Sequence, residues 1–189
     1  MSSNKRIHIY GHVSAQPQAI ANLFDAQLAS EIVVESDLAI FAINPAAGID
    51  QKTIDQWQAL SDYQLPRLVV VNELDGSDAD FEDAIMLANR VFDQLVTPYL
   101  VLHSESGSPV ALISLSDLQI INYSTNPPIT SASEAEHQEL VAEFREEYLD
   151  EIAGAGDNAF AAGLLFPAIP IVISNGLGID VVKSFIVQL

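Results

Sequence analysis

An amide and a carboxylate stand where this chain could hold a polar ligand. Leu68–Val71 are four apolar, mostly β-branched residues without alternation, which is the pattern of a strand buried on both faces. Asn72 follows this run directly, and Asp75 comes three residues later. Ligands of open parallel sheets bind just beyond the carboxyl ends of the strands. These two side chains are therefore candidates for hydrogen bonding to a ligand.

Three other groups of polar residues lack the spacing that their chemistry requires. The acid-rich stretch Asp75–Asp83 does not match a calcium loop, and a helix start explains it, because carboxylates there favour the helix dipole. The 4 histidines show no zinc-ligand spacing, and the chain has no cysteine. Ser106-Gly107-Ser108 has the composition of a turn and no nucleophile-elbow context. We therefore expect neither a metal site nor a serine nucleophile.

Strand patterns and helix patterns alternate along most of the chain. Buried strands are predicted at Arg6–Tyr10, Leu38–Ile43, Leu68–Val71 and Ile169–Ile173. Helices are predicted after Ser14, from Thr53, from Asp78 or Asp80 to Leu95, and over Ile179–Leu189. Strands that alternate with helices predict an α/β fold, in which helices cover a mostly parallel sheet.

The pattern changes beyond residue 98. Short strands separated by turn residues are predicted at Tyr99–His103, Val110–Leu115 and Leu118–Tyr123. Ser124–Ser133, with two adjacent prolines, is predicted to be a loop. Ser133 and Glu136 have the spacing of a capping box that would open an acidic helix. We predict a small antiparallel α+β insertion at residues 98–166, within a core made of residues 1–97 and 167–189.

The charge balance restricts the partners of the protein. Only 7 Lys and Arg residues stand against 26 Asp and Glu residues, which gives a formal net charge of −19. Binding to nucleic acid needs a basic footprint that releases counterions from phosphates, and this chain cannot supply one. No apolar run reaches the length of a membrane span. We expect no nucleic-acid partner and no membrane partner, and the absence of cysteine fits a cytoplasmic protein.

The order and spacing of these elements resemble the nucleotide-binding domain of elongation factor G with its inserted subdomain. The resemblance is strongest over Gly48–Asp75, where the family has G-V-x-x-Q-[ST], a helical Trp, V-P-R, a buried strand and N-K-x-D. The corresponding residues here are Gly48-Ile49, Thr53, Trp57, Leu65-Pro66-Arg67 and Asn72-Glu73-Leu74-Asp75. The resemblance implies a P-loop-NTPase-like fold. It also implies a vestigial guanine side of the site, formed by Asn72, Asp75, Ser174 and Asn175.

The phosphate side of the family's site is degraded in this sequence. The family's loop, GxxxxGK[ST], wraps phosphates with backbone N–H groups and adds a Lys and a magnesium-binding hydroxyl. In the matching stretch Gly11 survives, but Gln16 replaces the second Gly, Pro17 replaces the Lys and Gln18 replaces the hydroxyl. Pro17 removes a backbone donor as well as a cation. No neighbouring residue in the sequence replaces that charge.

The switch regions are also missing from the pattern. About a dozen residues separate Leu23 from Glu35, and they contain no D-x-x-G, so two strands and the magnesium-linked and water-orienting residues have no candidates. Catalysis of phosphoryl transfer is mostly electrostatic stabilisation, which these residues would supply. The resemblance therefore implies a truncated pseudo-GTPase, with no catalytic residue, no GTP hydrolysis and no required cofactor.

Three functions remain open at the level of sequence. The first is a non-enzymatic protein-interaction or regulatory module. The second is a protein with weak residual GDP or GTP binding that is linked to translation elongation. The third is a ribosome-docking fragment, which the charge and the missing switches disfavour. Loss of the switch strands would expose the sheet edge beside Arg6–Tyr10, so a homodimer mate or a partner chain is expected there unless the edge is blunted. Asn72 and Asp75 also fit a purely structural role in shaping a turn.

Overall fold

Two β-sheets organise the chain, and the computed structural model describes residues 4–75 and 79–189. The larger sheet consists of β1 (Ile7–Tyr10), β2 (Gln27–Leu28), β3 (Leu38–Ile43), β4 (Arg67–Val71), β5 (Leu95–Val96) and β10 (Phe166–Pro170). Its strand order is β2-β1-β3-β4-β10-β5, and these strands pair in parallel. The smaller sheet consists of β6 (Tyr99–His103), β7 (Pro109–Ser114), β8 (Gln119–Asn122) and β9 (Ile129–Ala132), paired antiparallel in that order.

The helices are α1 (Pro17–Leu23), α2 (Gln51–Ser61), α3 (Phe81–Ala88), α4 (Ala135–Leu140), α5 (Ala142–Ala155) and α6 (Ile179–Val187). Helices α1, α2, α3 and α6 bury apolar residues in the same core as the parallel sheet, whereas α4 and α5 have no buried residue. Strands β3 and β4 are buried along their whole length, as their uninterrupted apolar runs require. The predicted α/β fold with a small antiparallel sheet is confirmed, while the division at residues 98–166 stays a prediction. In the described part of the chain, no helix has the length and hydropathy to span a membrane.

A buried guanidinium joins β4, α2 and β10. The side chain of Arg67 is 2% exposed and lies between two rings, 4.2 Å from the ring centroid of Trp57 and 4.3 Å from that of Phe166. Its Nη1 donates to the carbonyl oxygen of Trp57 at 3.0 Å, and its Nη2 lies 3.4 Å from Asp93. Such contacts compensate for the cost of burying a charge. They fix the start of β4 and therefore the place where Asn72 emerges.

Two helices of the core have other ends than the sequence predicted. Helix α2 begins at Gln51 behind Asp50, so Thr53 lies inside the helix instead of capping it. Helix α3 ends at Ala88 and does not continue to Leu95. The Asn89 side chain accepts a hydrogen bond from the Leu95 backbone N–H at 2.9 Å, which turns the chain into β5. Apolar residues keep helical spacing in the sequence beyond Ala88 because they pack into the core from the turn and the strand that follow the helix.

Helix α3 starts at one of the two predicted residues, Asp80. Asp80 caps the helix and forms a reciprocal capping box with Asp83. The other candidate, Asp78, lies outside the described residues. The last parallel strand also differs from its predicted bounds, because β10 covers Phe166–Pro170 and begins three residues before the predicted Ile169.

The inserted sheet has one strand more than the sequence predicted. Strand β9 lies within Ser124–Ser133, which was predicted to be a loop, and it pairs with β8 along its length. All four of its residues are exposed, so no apolar pattern marks the strand. The predicted capping box at Ser133 is wrong. Glu134 stands at the N-cap of α4, and the Ser133 hydroxyl accepts from the Gln138 amide at 3.2 Å instead.

The sheet edge beside β1 is covered by the chain itself. Gln27–Leu28 form β2 and pair in parallel with β1, and the Ala29 N–H donates to the Ile9 carbonyl at 2.9 Å. The segment that follows is held by the Tyr10 hydroxyl, which accepts from the Val33 N–H at 3.0 Å. The prediction that this edge would be left open is therefore wrong. Two residues of β2 now form the edge, and short edge strands resist further pairing.

Candidate functional site

Two asparagines at strand ends hold the loop that corresponds to the family's phosphate loop. Asn72, which follows β4, is 2% exposed and donates from Nδ2 to the Ala15 carbonyl at 3.0 Å. Asn44, which follows β3, donates from Nδ2 to the Ser14 carbonyl at 2.9 Å. The structure therefore places Asn72 at the predicted corner, with its amide committed to the backbone. Asn44 was not among the predicted site residues, although it follows a buried strand directly, as Asn72 does.

The backbone N–H groups of this loop donate hydrogen bonds within the loop itself. Val13–Ala15 form a 3-10 turn, in which the Ala15 N–H donates to the His12 carbonyl and the Gln16 N–H to the Val13 carbonyl, each at 3.0 Å. The Ser14 N–H donates to His12 Nδ1 at 3.2 Å. Pro17 begins α1 and has no N–H to donate. The N–H groups of residues 14, 15 and 16 are therefore already used within the loop, and residue 17 has none, so these four positions offer no amide hydrogen to a phosphate.

Gly11 is retained for packing. Its φ is +149°, and a Cβ at this position would come within 2.5 Å of the Ala42 carbonyl oxygen on β3. Only a residue without a side chain lets the loop leave β1 so close to its neighbour strand. The needs of the fold alone therefore explain the glycine that survives from the phosphate-loop pattern.

Two of the departures from the family pattern contact each other. Gln16, which stands at the second Gly, donates from its side-chain amide to the carboxylate of Glu73, which stands at the family's Lys. A neutral amide and a carboxylate thus meet where the resemblance implies a glycine and a cation. The two residues are 57 positions apart in the chain, so no local pattern could predict this contact.

The predicted guanine side is only partly assembled. The Ser174 hydroxyl donates to the Asp75 carboxylate at 3.0 Å, so these two exposed residues do lie together. Asn175 is directed elsewhere, since its Nδ2 donates to the Pro109 carbonyl of the inserted sheet at 3.0 Å. Its Oδ1 accepts from the Leu177 N–H at 3.0 Å. Of the four predicted residues, only Asp75 and Ser174 form one polar corner.

A cleft of about 610 Å³ opens beside the loop that follows β1. Gly11, Pro17 and Gln18 line it, and so does Lys52 from the first turn of α2. Lys52 is an exposed cation that the sequence analysis missed, because it belongs to a distant helix. The Gln18 amide is used within α1, where it donates to Asn22 at 3.1 Å. In residues 4–75 and 79–189, no group of three or more His, Asp or Glu side chains could hold a metal ion.

Replacing Asn72 by alanine is expected to lower the free energy of unfolding by about 1–3 kcal/mol. The substitution removes the donor to the Ala15 carbonyl, which stays buried beneath the loop. Chemical denaturation followed by circular dichroism measures the loss. The control is Asn4→Ala, which removes the same amide from an exposed residue ahead of β1 and for which we expect a change within about 0.5 kcal/mol. Equal losses in the two variants would show that Asn72 does not anchor the loop.

The fold and this corner define a class of protein. It is a P-loop-NTPase-like α/β domain with an inserted antiparallel sheet. No family model matches the chain. A crystal structure of a protein from Thermus thermophilus has the same fold, with a TM-score of 0.72 and 21% identity over 82% of this chain and 26% of that one.

Sequence relatives identify the class more closely. The chain is 30% identical over 167 residues to an elongation factor G-like protein of Mycobacterium tuberculosis, in a match covering 76% of this chain and 23% of the relative. It is 23% identical over 151 residues to mitochondrial ribosome-releasing factor 2 of Drosophila persimilis, covering 72% and 20%. The resemblance to elongation factor G is confirmed. The chain spans less than a quarter of the length of these curated relatives.

Proposed function

We propose that this chain is a pseudo-GTPase domain related to elongation factor G, which does not hydrolyse GTP and acts as a protein-interaction or regulatory module. The observation that carries the proposal is that the backbone N–H groups of the degraded phosphate loop already donate hydrogen bonds within the loop. The amides of residues 14, 15 and 16 donate within the loop, and Pro17 has none. A phosphate chain would have to break these bonds before it could be gripped.

Electrostatics supports the same proposal. The Glu73 carboxylate lies against Gln16, where the resemblance implies a cation, and it would repel a nucleotide phosphate. Lys52 is the cation that lines the adjoining cleft, and it is exposed, so water screens its charge. The net charge of −19 opposes the approach of a triphosphate. Transition-state stabilisation of phosphoryl transfer needs several positive groups at once.

A protein surface is the partner that the charge favours. The charge and the missing switches disfavoured the ribosome as a partner, and the similarity to proteins named ribosome-releasing factor 2 does not favour that expectation. Those relatives are much longer than this chain, so a ribosomal protein is proposed here only as one partner to test. The absence of cysteine supports a cytoplasmic place of action.

Purified protein is expected to release no phosphate from GTP above the background of buffer alone. The residues that would position metal and water have no counterparts in this sequence, so no reaction path is supplied. A phosphate-release assay with Mg²⁺ at about 1 mM GTP measures this, since typical KM values reach that range. Turnover that follows the protein through size-exclusion chromatography would overturn the proposal.

Residual recognition of guanine is the second candidate. It is favoured by the Ser174–Asp75 contact, which keeps one carboxylate at the mouth of the sheet. A site without phosphate contacts would bind guanosine as well as it binds GDP. Saturation-transfer NMR with both ligands tests this, with Asp75→Ala as the variant that should lose the signal. Absence of signal at millimolar ligand would remove this candidate.

A further inference from the structure

A groove between the core and the insert combines an apolar floor with an acidic rim. It has a volume of about 400 Å³ and lies between α3 and α5. Its floor includes Phe81, Leu100 and Tyr148, and its open side includes Met86 and Phe144, which are 59% and 39% exposed. A concave apolar surface of this volume is typical of a small-molecule site.

Carboxylates stand on both sides of this floor. Glu82 and Asp83 belong to α3, with Asp80 at its cap, and Glu147 and Glu151 belong to α5. Among the described residues that line the groove there is no lysine or arginine. Acidic groups on two different helices therefore face one apolar space without an intramolecular cation.

The environment of these carboxylates favours a positive ligand. Partial burial raises the pKa of Glu82, and the nearby charges of Asp80 and Asp83 raise it further. Partial burial and then Glu147 raise the pKa of Glu151, although a hydrogen bond from Gln94 lowers it. Like charges in a partly desolvated place destabilise each other, and a cation between them would relieve this.

We propose that the groove between α3 and α5 binds a linear aliphatic polyamine. Its ammonium groups pair with the carboxylates of the two helices, and its methylene chain lies on the apolar floor. A divalent metal ion would leave that floor unused, because it requires oxygen ligands around it. A basic amphipathic helix is about 10 Å in diameter, so a single turn of it already has about the volume of this groove of about 400 Å³.

Titration calorimetry with spermidine on the full chain tests the proposal. We expect saturable binding of one molecule per chain at about 150 mM salt, where long-range attraction is screened. The double variant Glu147→Gln/Glu151→Gln should bind about tenfold more weakly, which corresponds to about 1.4 kcal/mol. The matched control Glu143→Gln/Glu146→Gln removes the same charge from the same helix, at residues outside the groove lining, and should stay within about twofold.

Three results would overturn the proposal. Equal weakening in both double variants would mean that spermidine senses only the overall acidic field. Displacement of spermidine by an equal concentration of Mg²⁺ would mean that the apolar floor contributes nothing. Binding of a lysine-rich amphipathic peptide to the groove, without binding of spermidine, would assign the surface to a protein partner. GTP turnover would not bear on any of these results.

Discussion

Replacing Trp57 by alanine is expected to lower the free energy of unfolding by about 4 kcal/mol, which is a large part of the stability of an ordinary domain. Trp57 is 1% exposed and stacks on Phe92, with 4.4 Å between ring centroids. It also meets the edge of Phe41 at 5.0 Å. Truncation would leave a cavity between α2 and the sheet, which close-packed surroundings fill only in part.

The buried guanidinium adds to this loss. Trp57 covers one face of Arg67, supplies a carbonyl acceptor to it, and donates from Nε1 to Asp93 at 2.9 Å. Burial already lowers the pKa of Arg67, while the charge of Asp93 raises it. Without the indole, this cation loses one of its two ring contacts in a buried place, and the ring of Phe166 remains. The backbone carbonyl of residue 57 and the Asp93 carboxylate stay as partners of the guanidinium, so the added cost is that of the lost cation–π contact.

Urea denaturation followed by far-ultraviolet circular dichroism measures the effect, since the variant has lost the single tryptophan of the chain. The control is Tyr63→Ala, because Tyr63 is 56% exposed and should change stability by less than about 0.5 kcal/mol. A loss below about 1.5 kcal/mol in Trp57→Ala would contradict the view that this cluster fixes β4.

Replacing Gly178 by alanine is expected to cost about 3 kcal/mol or more, from backbone strain together with overpacking. Gly178 has φ of +78°, and a Cβ there would lie far inside van der Waals contact with the Pro170 carbonyl oxygen at the end of β10. That carbonyl belongs to the backbone and cannot move as a flexible side chain would. The loop that carries Ser174 would shift as a consequence.

Gly176 provides a matched control in the same loop. Its φ is +79°, almost the same as that of Gly178, but a Cβ there would meet nothing within 4 Å. Gly176→Ala should therefore show the conformational cost alone, about 1 kcal/mol. Thermal and urea unfolding of the two variants separates the clash from the strain. Equal destabilisation in both would show that close packing on Pro170 is not what requires the glycine.

Continuous apolar runs made the sheet predictable. LAIFAI and LVVV read as buried strands because a strand covered on both faces has no polar side to alternate with. The end of α3 was not predictable in the same way. Val91, Phe92 and Leu95 keep helical spacing, but the chain leaves the helix through the Asn89 contact with Leu95, which depends on where β5 pairs. Strand β2 has two exposed residues and carries no pattern at all.

The site was predictable in position and not in its contacts. Asn72 lies where a residue after a buried strand must lie, at the carboxyl edge of the sheet. Its partner, Ala15, is 57 residues away and could not be inferred from any local pattern. The same holds for Lys52, which a separate helix brings to the degraded loop. The departures from the GxxxxGK[ST] pattern at Gln16, Pro17 and Gln18 could be seen in the sequence, whereas the Gln16–Glu73 hydrogen bond could not.

Calorimetric titration of the purified chain with GDP and Mg²⁺ tests the central claim most directly. The loop amides already donate within the loop, and Pro17 stands where the resemblance implies a lysine. We therefore expect no saturable heat up to about 1 mM GDP. A dissociation constant of about 1 mM corresponds to a binding free energy of only about 4 kcal/mol. Guanosine serves as the phosphate-free comparison. A dissociation constant in the micromolar range for GDP, with none for guanosine, would show that this chain grips phosphate and would contradict the claim.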